Sequence, residues 1–252
     1  MRATQLRNFH EPSLTAHSGI IRNNTCSSTK RSMGYTVILF YKFARIANPE
    51  MFRDKQKNIA EVFGLLGRML VATEGVNATL EGETIQIKKY IRELRKQSIF
   101  KNIIFKESEG NGKGFTKLQV KVRPEVVTLG VGDLNIKKDT APVVTATQLE
   151  KMYAKNEDFT VLDLRNDYEV QAGYFEKTVN PKLKNFRDLP TKLSELAYLK
   201  NKKVVAVCTG GIRCEKATVL MKKEGFKNLY QLKDGIHTYM KKYPGKHFKG
   251  GL

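Results

Sequence analysis

From residue 35 onward the hydrophobic pattern is continuous and changes period in an ordered way. Residues 35 to 43 (YTVILFYKF) form a β-branched and aromatic run, which predicts a buried strand. Asn48-Pro49 then supplies an N-cap followed by proline at the first helical position. Phe52, Ile59, Val62 and Phe63 keep near-helical spacing as far as Gly64, so a helix is predicted there. Strands follow over residues 67 to 72 and 76 to 81, joined by Thr73-Glu74-Gly75. A second helix over 83 to 95 draws its apolar face from Ile85, Ile87, Tyr90, Ile91 and Leu94. Residues 102 to 107 and 115 to 123 read as strands on either side of a glycine-rich turn at 109 to 114. The resulting order is β-α-β-β-α-β with one extra strand. It predicts a ferredoxin-like (acylphosphatase-like) α+β domain over residues 34 to 129, with two helices on one face of the sheet.

Residues 130 to 145 lose periodicity and carry Gly, Asp, Lys and Pro, the composition of a linker. Beyond them the pattern is α/β. A helix capped by Thr147 runs to Tyr153, a short strand covers 160 to 164, another candidate strand lies at 178 to 180, and 189 to 199 is helical. Residues 203 to 207 (KVVAV) are a continuous apolar strand of the kind found inside a parallel sheet. A helix over 215 to 224, a strand over 228 to 231 and a last helix over 235 to 243 complete the set. Alternating strands and helices predict a parallel α/β domain over 146 to 243, with ligands at the strand carboxyl ends. Residues 244 to 252 read as the start of a C-terminal segment.

Residues 1 to 33 differ from everything after them. They are rich in Arg, Ser, Thr and Asn, hold one acidic residue, and show no sustained periodicity. Such composition suits an organellar transit peptide. The alternative is that Met33 is the true start and the preceding stretch is a disordered extension. The second reading is favoured because no apolar transit-helix face can be traced, and Cys26 is expected to be chemically idle.

Charge changes the picture further. The chain has 45 Lys and Arg against 25 Asp and Glu, a net +20, and the excess is spread along its whole length. A distributed basic surface fits a polyanion, and nucleic acid ranks ahead of a membrane surface as partner. No apolar run approaches the roughly eighteen residues of a membrane span. Three cysteines without a secretory segment predict a reducing, cytoplasmic setting. Four scattered histidines form no metal-site spacing, so no metal and no cofactor are expected. Oligomeric state is not legible.

The chemistry concentrates in Cys208-Thr209-Gly210-Gly211-Ile212-Arg213-Cys214. A buried strand ends in Cys208, two glycines let backbone N–H groups turn inward as an anion nest, and a helix begins near Arg213. The helix N-terminus adds partial positive charge. These features stabilise thiolate over thiol and predict a nucleophile. A free cysteine at a strand end is more often a small buried hydrophobe; two glycines and an arginine following directly argue against that here. Arg213 is placed to clamp an anion. Cys214, on the first helical turn, is either packing or a resolving thiol for a persulfide or sulfenate on Cys208.

Protein tyrosine phosphatases use Cys-x5-Arg, and this loop is one residue shorter. Cys-x-x-Gly-x-Arg resembles the loop of rhodaneses, which holds a cysteine persulfide. Leu162-Asp163-Leu164-Arg165-Asn166-Asp167-Tyr168-Glu169, with Gly173 and Asn180-Pro181, resembles the rhodanese sequence around its first core strand. Asp163 and Arg165 are read as supports that tie strand end to loop. Several motifs in order extend the likeness from about residue 35 to 252: Glu74-Gly-Val-Asn77-Ala-Thr79, Val120-Lys-Val-Arg123-Pro-Glu-Val-Val-Thr128, Arg165-Asn-Asp-Tyr-Glu169 and the Cys208 loop. This combination resembles the UPF0176 family of tRNA uridine 5-hydroxylases. The resemblance implies oxygen-dependent hydroxylation of the wobble uridine in the tRNA anticodon loop, with Cys208 as reacting sulfur and molecular oxygen as co-substrate. It leaves Glu74, Asn77 and Arg123 as candidate interdomain or tRNA contacts. Lys233-Asp234-Gly235-Ile236 stands where the family more usually has Lys-Gly-Gly-Ile, and family members continue beyond Leu252. A persulfide-passing sulfurtransferase and a non-catalytic tRNA-binding protein are the alternatives.

Overall fold

The computed structural model describes residues 34 to 252. The expectations for a transit peptide, for Met33 and for Cys26 lie outside the described residues.

The first part runs β1 (Tyr35–Phe43), α1 (Pro49–Val62), β2 (Leu66–Ala72), β3 (Gly75–Glu83), α2 (Thr84–Arg95), β4 (Lys106–Gly110) and β5 (Leu118–Val122). Its sheet has the order β4-β1-β3-β2-β5, with β5 parallel to β2 and the other pairs antiparallel. Four strands in the order 4-1-3-2 are the ferredoxin-like arrangement, and β5 is the extra strand on its edge. Helix α1 starts where expected: the Asn48 side chain accepts the Met51 N–H, and Pro49 sits in the first turn.

Alternation gives this sheet two different faces. Ile38, Phe40, Met69, Val71, Val76, Ala78 and Leu80 point into one core with Tyr90, Ile91 and Leu94 of α2. Leu39, Tyr41, Arg68, Leu70, Asn77 and Thr79 lie on the opposite face. Cross-strand register aligns them in two rows, Leu39–Thr79–Arg68 and Tyr41–Asn77–Leu70.

Two strands start later than predicted, β5 at Leu118 rather than at 115 and β4 more markedly. The pattern suggested 102 to 107, whereas β4 begins at Lys106 and continues to Gly110, into the expected turn. Ile103 is buried in the core before the strand starts, and Phe105 packs on Phe40 at 5.0 Å between centroids. The turn closes on Glu81, whose carboxylate accepts the N–H groups of Asn111, Gly112 and Gly114 at 2.9 to 3.0 Å.

The second part runs α3 (Ile136–Asp139), β6 (Val143–Val144), α4 (Ala146–Ala154), β7 (Thr160–Asp163), α5 (Asp167–Ala172), β8 (Gly173–Phe175), β9 (Thr178–Val179), α6 (Leu189–Lys192), β10 (Lys203–Val207), α7 (Ile212–Lys223), β11 (Asn228–Leu232), α8 (Gly235–Lys242) and β12 (Phe248–Gly250). A parallel sheet of order β6-β11-β10-β7-β9 has an apolar core on each face. Strand β10 lies at its centre, so its loop emerges mid-sheet at the carboxyl edge.

Four local expectations are corrected. The stretch read as linker carries α3 and the edge strand β6. The cap of α4 is Thr145, in a capping box with Gln148, and Thr147 lies inside the helix. The segment 167 to 172 forms α5, which the pattern did not reveal. The helix expected over 189 to 199 stops at Lys192 and resumes as a 3-10 turn, Ala197–Leu199. Leu189, Leu193, Leu196 and Leu199 still reach one core, so the period was real although the helix is broken. Strand β12 pairs antiparallel with β8 and lays Phe248 against Phe175 at 5.1 Å.

Candidate active site

Cys208 follows β10 directly, and the chain turns through Gly210 and Gly211 into α7. Gly211 takes φ of 103°, a conformation that suits glycine, and donates its N–H to Cys208 Sγ at 3.2 Å. The N-terminus of α8 fixes the loop from behind: the Ile236 and His237 N–H groups donate to the carbonyls of Cys208 and Thr209 at 3.0 and 3.1 Å. With these carbonyls held outward, the loop amides are free to face the sulfur.

Cys208 is only 1% exposed. Burial alone raises its pKa, but this is outweighed by a hydrogen bond from the Cys214 thiol, the Arg213 charge and the N–H groups of Cys214 and Arg213. The thiol is lowered from 9.0 to about 6. Cys214 moves the other way, well above its ordinary value, through burial and the Cys208 charge and hydrogen bond. One sulfur is therefore poised as thiolate and its neighbour as a neutral donor.

Glu169 at α5 braces the loop at two points. Its carboxylate accepts from Thr209 Oγ1 at 3.2 Å and pairs with Arg213 Nη1 at 2.9 Å. Arg213 is thus engaged by a carboxylate in this state. Asp163 and Arg165 form a buried pair at 2.7 Å, and Arg165 also donates to the Gly173 carbonyl, linking β7 to β8. Asp163 adds negative charge near Cys214, and neither residue reaches Cys208 Sγ by hydrogen bond.

The outer face of the first sheet roofs this loop. A Cβ added at Gly210 would lie 2.7 Å from Leu39 Cδ2, and one at Gly211 would lie 2.9 Å from the Tyr41 hydroxyl. Tyr41 donates to Glu215 Oε1 at 2.6 Å. Lys106, buried at the start of β4, lies 3.5 Å from Asp234 and 5.3 Å from the centre of the Tyr41 ring. Burial lowers the Lys106 pKa, while Asp234 opposes that shift. Burial likewise raises Glu215, against the Tyr41 hydrogen bond. Asp234 has φ of 61°, the left-handed region that suits glycine, so the carboxylate gained there over glycine is offset by local strain.

A second junction lies behind the loop. Lys216 is 2% exposed, and it pairs with Glu74 at 2.8 Å and with Glu125 at 2.5 Å. Ile212 packs with Ala72 and Val126 in a small apolar cluster shared by both parts. Glu74 is therefore an interdomain contact, and its other bond accepts the Val126 N–H at 2.7 Å. Asn77 donates to the Val126 carbonyl at 3.1 Å and stands on the outer sheet face. Arg123 is exposed, and among the described residues its side chain reaches only the Val122 carbonyl, so it is not brought to the loop. Among the described residues no cluster of three His, Cys, Asp or Glu is arranged to hold a metal ion.

Tyr41, Lys106, Glu125, Glu169, Glu215, Asp234 and Lys216 were not singled out from the sequence as site residues. The one available signal was the β-branched and aromatic run of β1, which was read as a buried strand. Here helices cover one face and the Cys208 loop meets the other.

A parallel sheet ending in a thiolate loop, roofed by a ferredoxin-like sheet, defines a two-domain rhodanese-type protein. Family models agree: residues 35–126 match the UPF0176 acylphosphatase like domain, and residues 145–242 match the Rhodanese-like domain. The chain is 42% identical over 215 residues to the tRNA uridine(34) hydroxylase of Aster yellows witches'-broom phytoplasma, covering 84% of this chain and 68% of the relative. To the protein of the same name from Cytophaga hutchinsonii it is 36% identical, covering 86% of this chain and 69% of the relative. A solution structure of a rhodanese-like domain from Anabaena sp. is similar at a TM-score of 0.38 and 22% identity, covering 44% of this chain and 81% of that one. The chain belongs to the UPF0176 family, whose relatives bear the name tRNA uridine(34) hydroxylase.

Proposed function

We propose that this protein hydroxylates carbon-5 of the wobble uridine, position 34 of the tRNA anticodon, with Cys208 as the reacting sulfur and molecular oxygen as the source of the new hydroxyl. The observation that carries the reading is the lowered pKa of Cys208 in a loop roofed by the very domain that sets this family apart from bare rhodaneses. Net charge of +20 supports a polyanionic substrate, and an anticodon loop offers unstacked bases.

Carbon-5 of uracil is electron-rich. Addition of the Cys208 thiolate at carbon-6 places enolate character at carbon-5, which captures O2 and a proton as a hydroperoxide; loss of the carbon-5 proton with departure of the thiolate restores the ring. The freed thiolate then attacks the outer peroxide oxygen, breaking the O–O bond to leave the 5-hydroxyl and a Cys208 sulfenic acid, which the Cys214 thiol converts to a disulfide with release of water. Insertion of one atom of O2 leaves the other to become water, which consumes two electrons and two protons. Two thiols passing to a disulfide release that number of each, and Cys214 is hydrogen-bonded to Cys208. Cys214 is read accordingly as the resolving thiol. Once Cys208 is oxidised its charge no longer holds the Cys214 proton in place.

Mass spectrometry of nucleosides from a deletion strain tests the reading. Loss of 5-hydroxyuridine, restored by the wild-type gene and not by Cys208→Ala, is the expected result. Unchanged 5-hydroxyuridine with loss of 2-thiouridine would assign the loop to sulfur transfer instead.

A further inference from the structure

Beside the roofed loop the two parts of the molecule stand apart and leave a cleft of about 440 Å³. Three guanidinium groups converge on it from separate elements: Arg68 of β2, Arg187 of the 3-10 turn before α6, and Arg213 of the Cys208 loop. Asn77, Asn166 and Asn185 add carboxamides, and Phe186 contributes an aromatic surface. Among the described residues no Asp or Glu lines it. Arg68 and Arg187 are exposed and form none of the molecule's ion pairs among the described residues, so their charge is directed at solvent or at a ligand.

We propose that this cleft is the seat of one unstacked nucleotide of a single-stranded RNA, with its phosphates on Arg68 and Arg187 and its base among the asparagines. The inference rests on the RNA-substrate reading for its choice of ligand. The chemistry itself is local. Planar guanidinium groups suit phosphate oxygens, and amide side chains offer both donors and acceptors to a base edge. A volume of this size lies within the range of small-ligand sites. Because Arg213 closes the Cys208 loop, an occupant here sits at the margin of the reacting sulfur. Arg68 and Thr79 are paired across β2 and β3 in one row with Leu39, so the surface that roofs the loop continues unbroken into the cleft wall.

The test uses the full chain, an anticodon stem-loop RNA, its fully paired duplex counterpart and uridine monophosphate. Binding is read by fluorescence anisotropy over a range of salt. Arg68→Glu combined with Arg187→Glu should weaken stem-loop binding by about tenfold or more and make the log–log salt slope shallower by roughly 1 to 2. The control is Lys88→Glu with Arg92→Glu, an exposed basic pair on α2 away from the cleft, expected to change binding by less than about threefold. Equal losses in both double variants would overturn the cleft as the site and leave only general surface charge. So would duplex binding as tight as stem-loop binding. Tight uridine monophosphate binding with no preference for the stem-loop would assign the cleft to free nucleotides and overturn the RNA proposal. The hydroxylation reading fails separately: if wild type makes no 5-hydroxyuridine while the cleft variant still loses stem-loop binding, that reading falls and the cleft stands.

Discussion

The outer face of the first sheet behaves differently along its two halves. At β1, Leu39 and Tyr41 press onto Gly210 and Gly211 and leave Cys208 almost without solvent. At β2 and β3, one or two strands away in the same rows, Arg68 and Asn77 face an open polar cleft. Dry packing strengthens each charge interaction that holds Cys208 as thiolate, while the open half has room for a polar ligand. Both halves belong to one hydrogen-bonded sheet, so the residues that cover Cys208 and those that line the cleft are held in a common register.

The strongest way to break this contrast is through the thiolate itself. With Cys208 lowered to about 6, hydroxylation should fall about tenfold for each pH unit below that value and be flat above about pH 7. Cys214→Ala removes a hydrogen bond to the charged sulfur and should move the midpoint upward by roughly one to two pH units. Thiolate ultraviolet absorbance followed against pH measures this directly. A midpoint unchanged in Cys214→Ala would mean that the loop amides and Arg213 hold the thiolate alone. The linkage has a definite sign. A folded pKa below the unfolded one means that the native state binds fewer protons between about 6 and 9, so this group's stabilisation is complete above pH 9 and is lost as pH falls through 6. Cys208→Ser should flatten that part of the stability profile.

Next in size is the support behind the closed half. Gly235 has φ of 72°, and a Cβ there would lie 2.5 Å from the Thr209 carbonyl oxygen and 2.6 Å from that of Cys208. Both neighbours are backbone and cannot swing away. Gly235→Ala should cost about 3 to 4 kcal/mol in denaturant unfolding and raise the Cys208 pKa toward its ordinary value. A thiolate titration identical to wild type would show that α8 does not set the loop. Lys216→Met follows, leaving Glu74 and Glu125 facing each other without their cation at a cost of about 3 kcal/mol. Calorimetry of the full chain measures it, and a loss below about 1 kcal/mol would mean that water already screens this junction.

How much of this was legible in the sequence depends on how far apart the cooperating residues lie. Cys208, Gly210, Gly211 and Arg213 are contiguous, so backbone geometry and thiolate chemistry could be read from one segment. The ferredoxin-like order was equally readable, since its elements carry their own periods and caps. Tyr41 and Glu215 are 174 positions apart, and nothing local to either points to the other. Lys106 sat in a segment whose strand was placed too early, because Ile103 is buried without belonging to a strand. Glu169 stood inside a quoted motif, but its double contact with Thr209 and Arg213 depends on α5, a six-residue helix too short to show a period.

The smallest expected effect bears most directly on the closed half. Tyr41→Phe keeps the ring over the loop and deletes only the hydroxyl that donates to Glu215. That bond crosses the interface and ends on a carboxylate, so its loss should cost about 1 to 2 kcal/mol. Glu215 is already raised by burial, and without its donor its pKa should climb further, so the cost should appear mainly above that new value, where the carboxylate must be charged. At lower pH the protonated Glu215 loses less by the change. A Tyr41→Phe penalty that grows with rising pH is therefore the signature of this hydrogen bond, readable from urea unfolding at several pH values. A penalty independent of pH would place the effect in packing against Gly211, and the roof would then be held by shape alone.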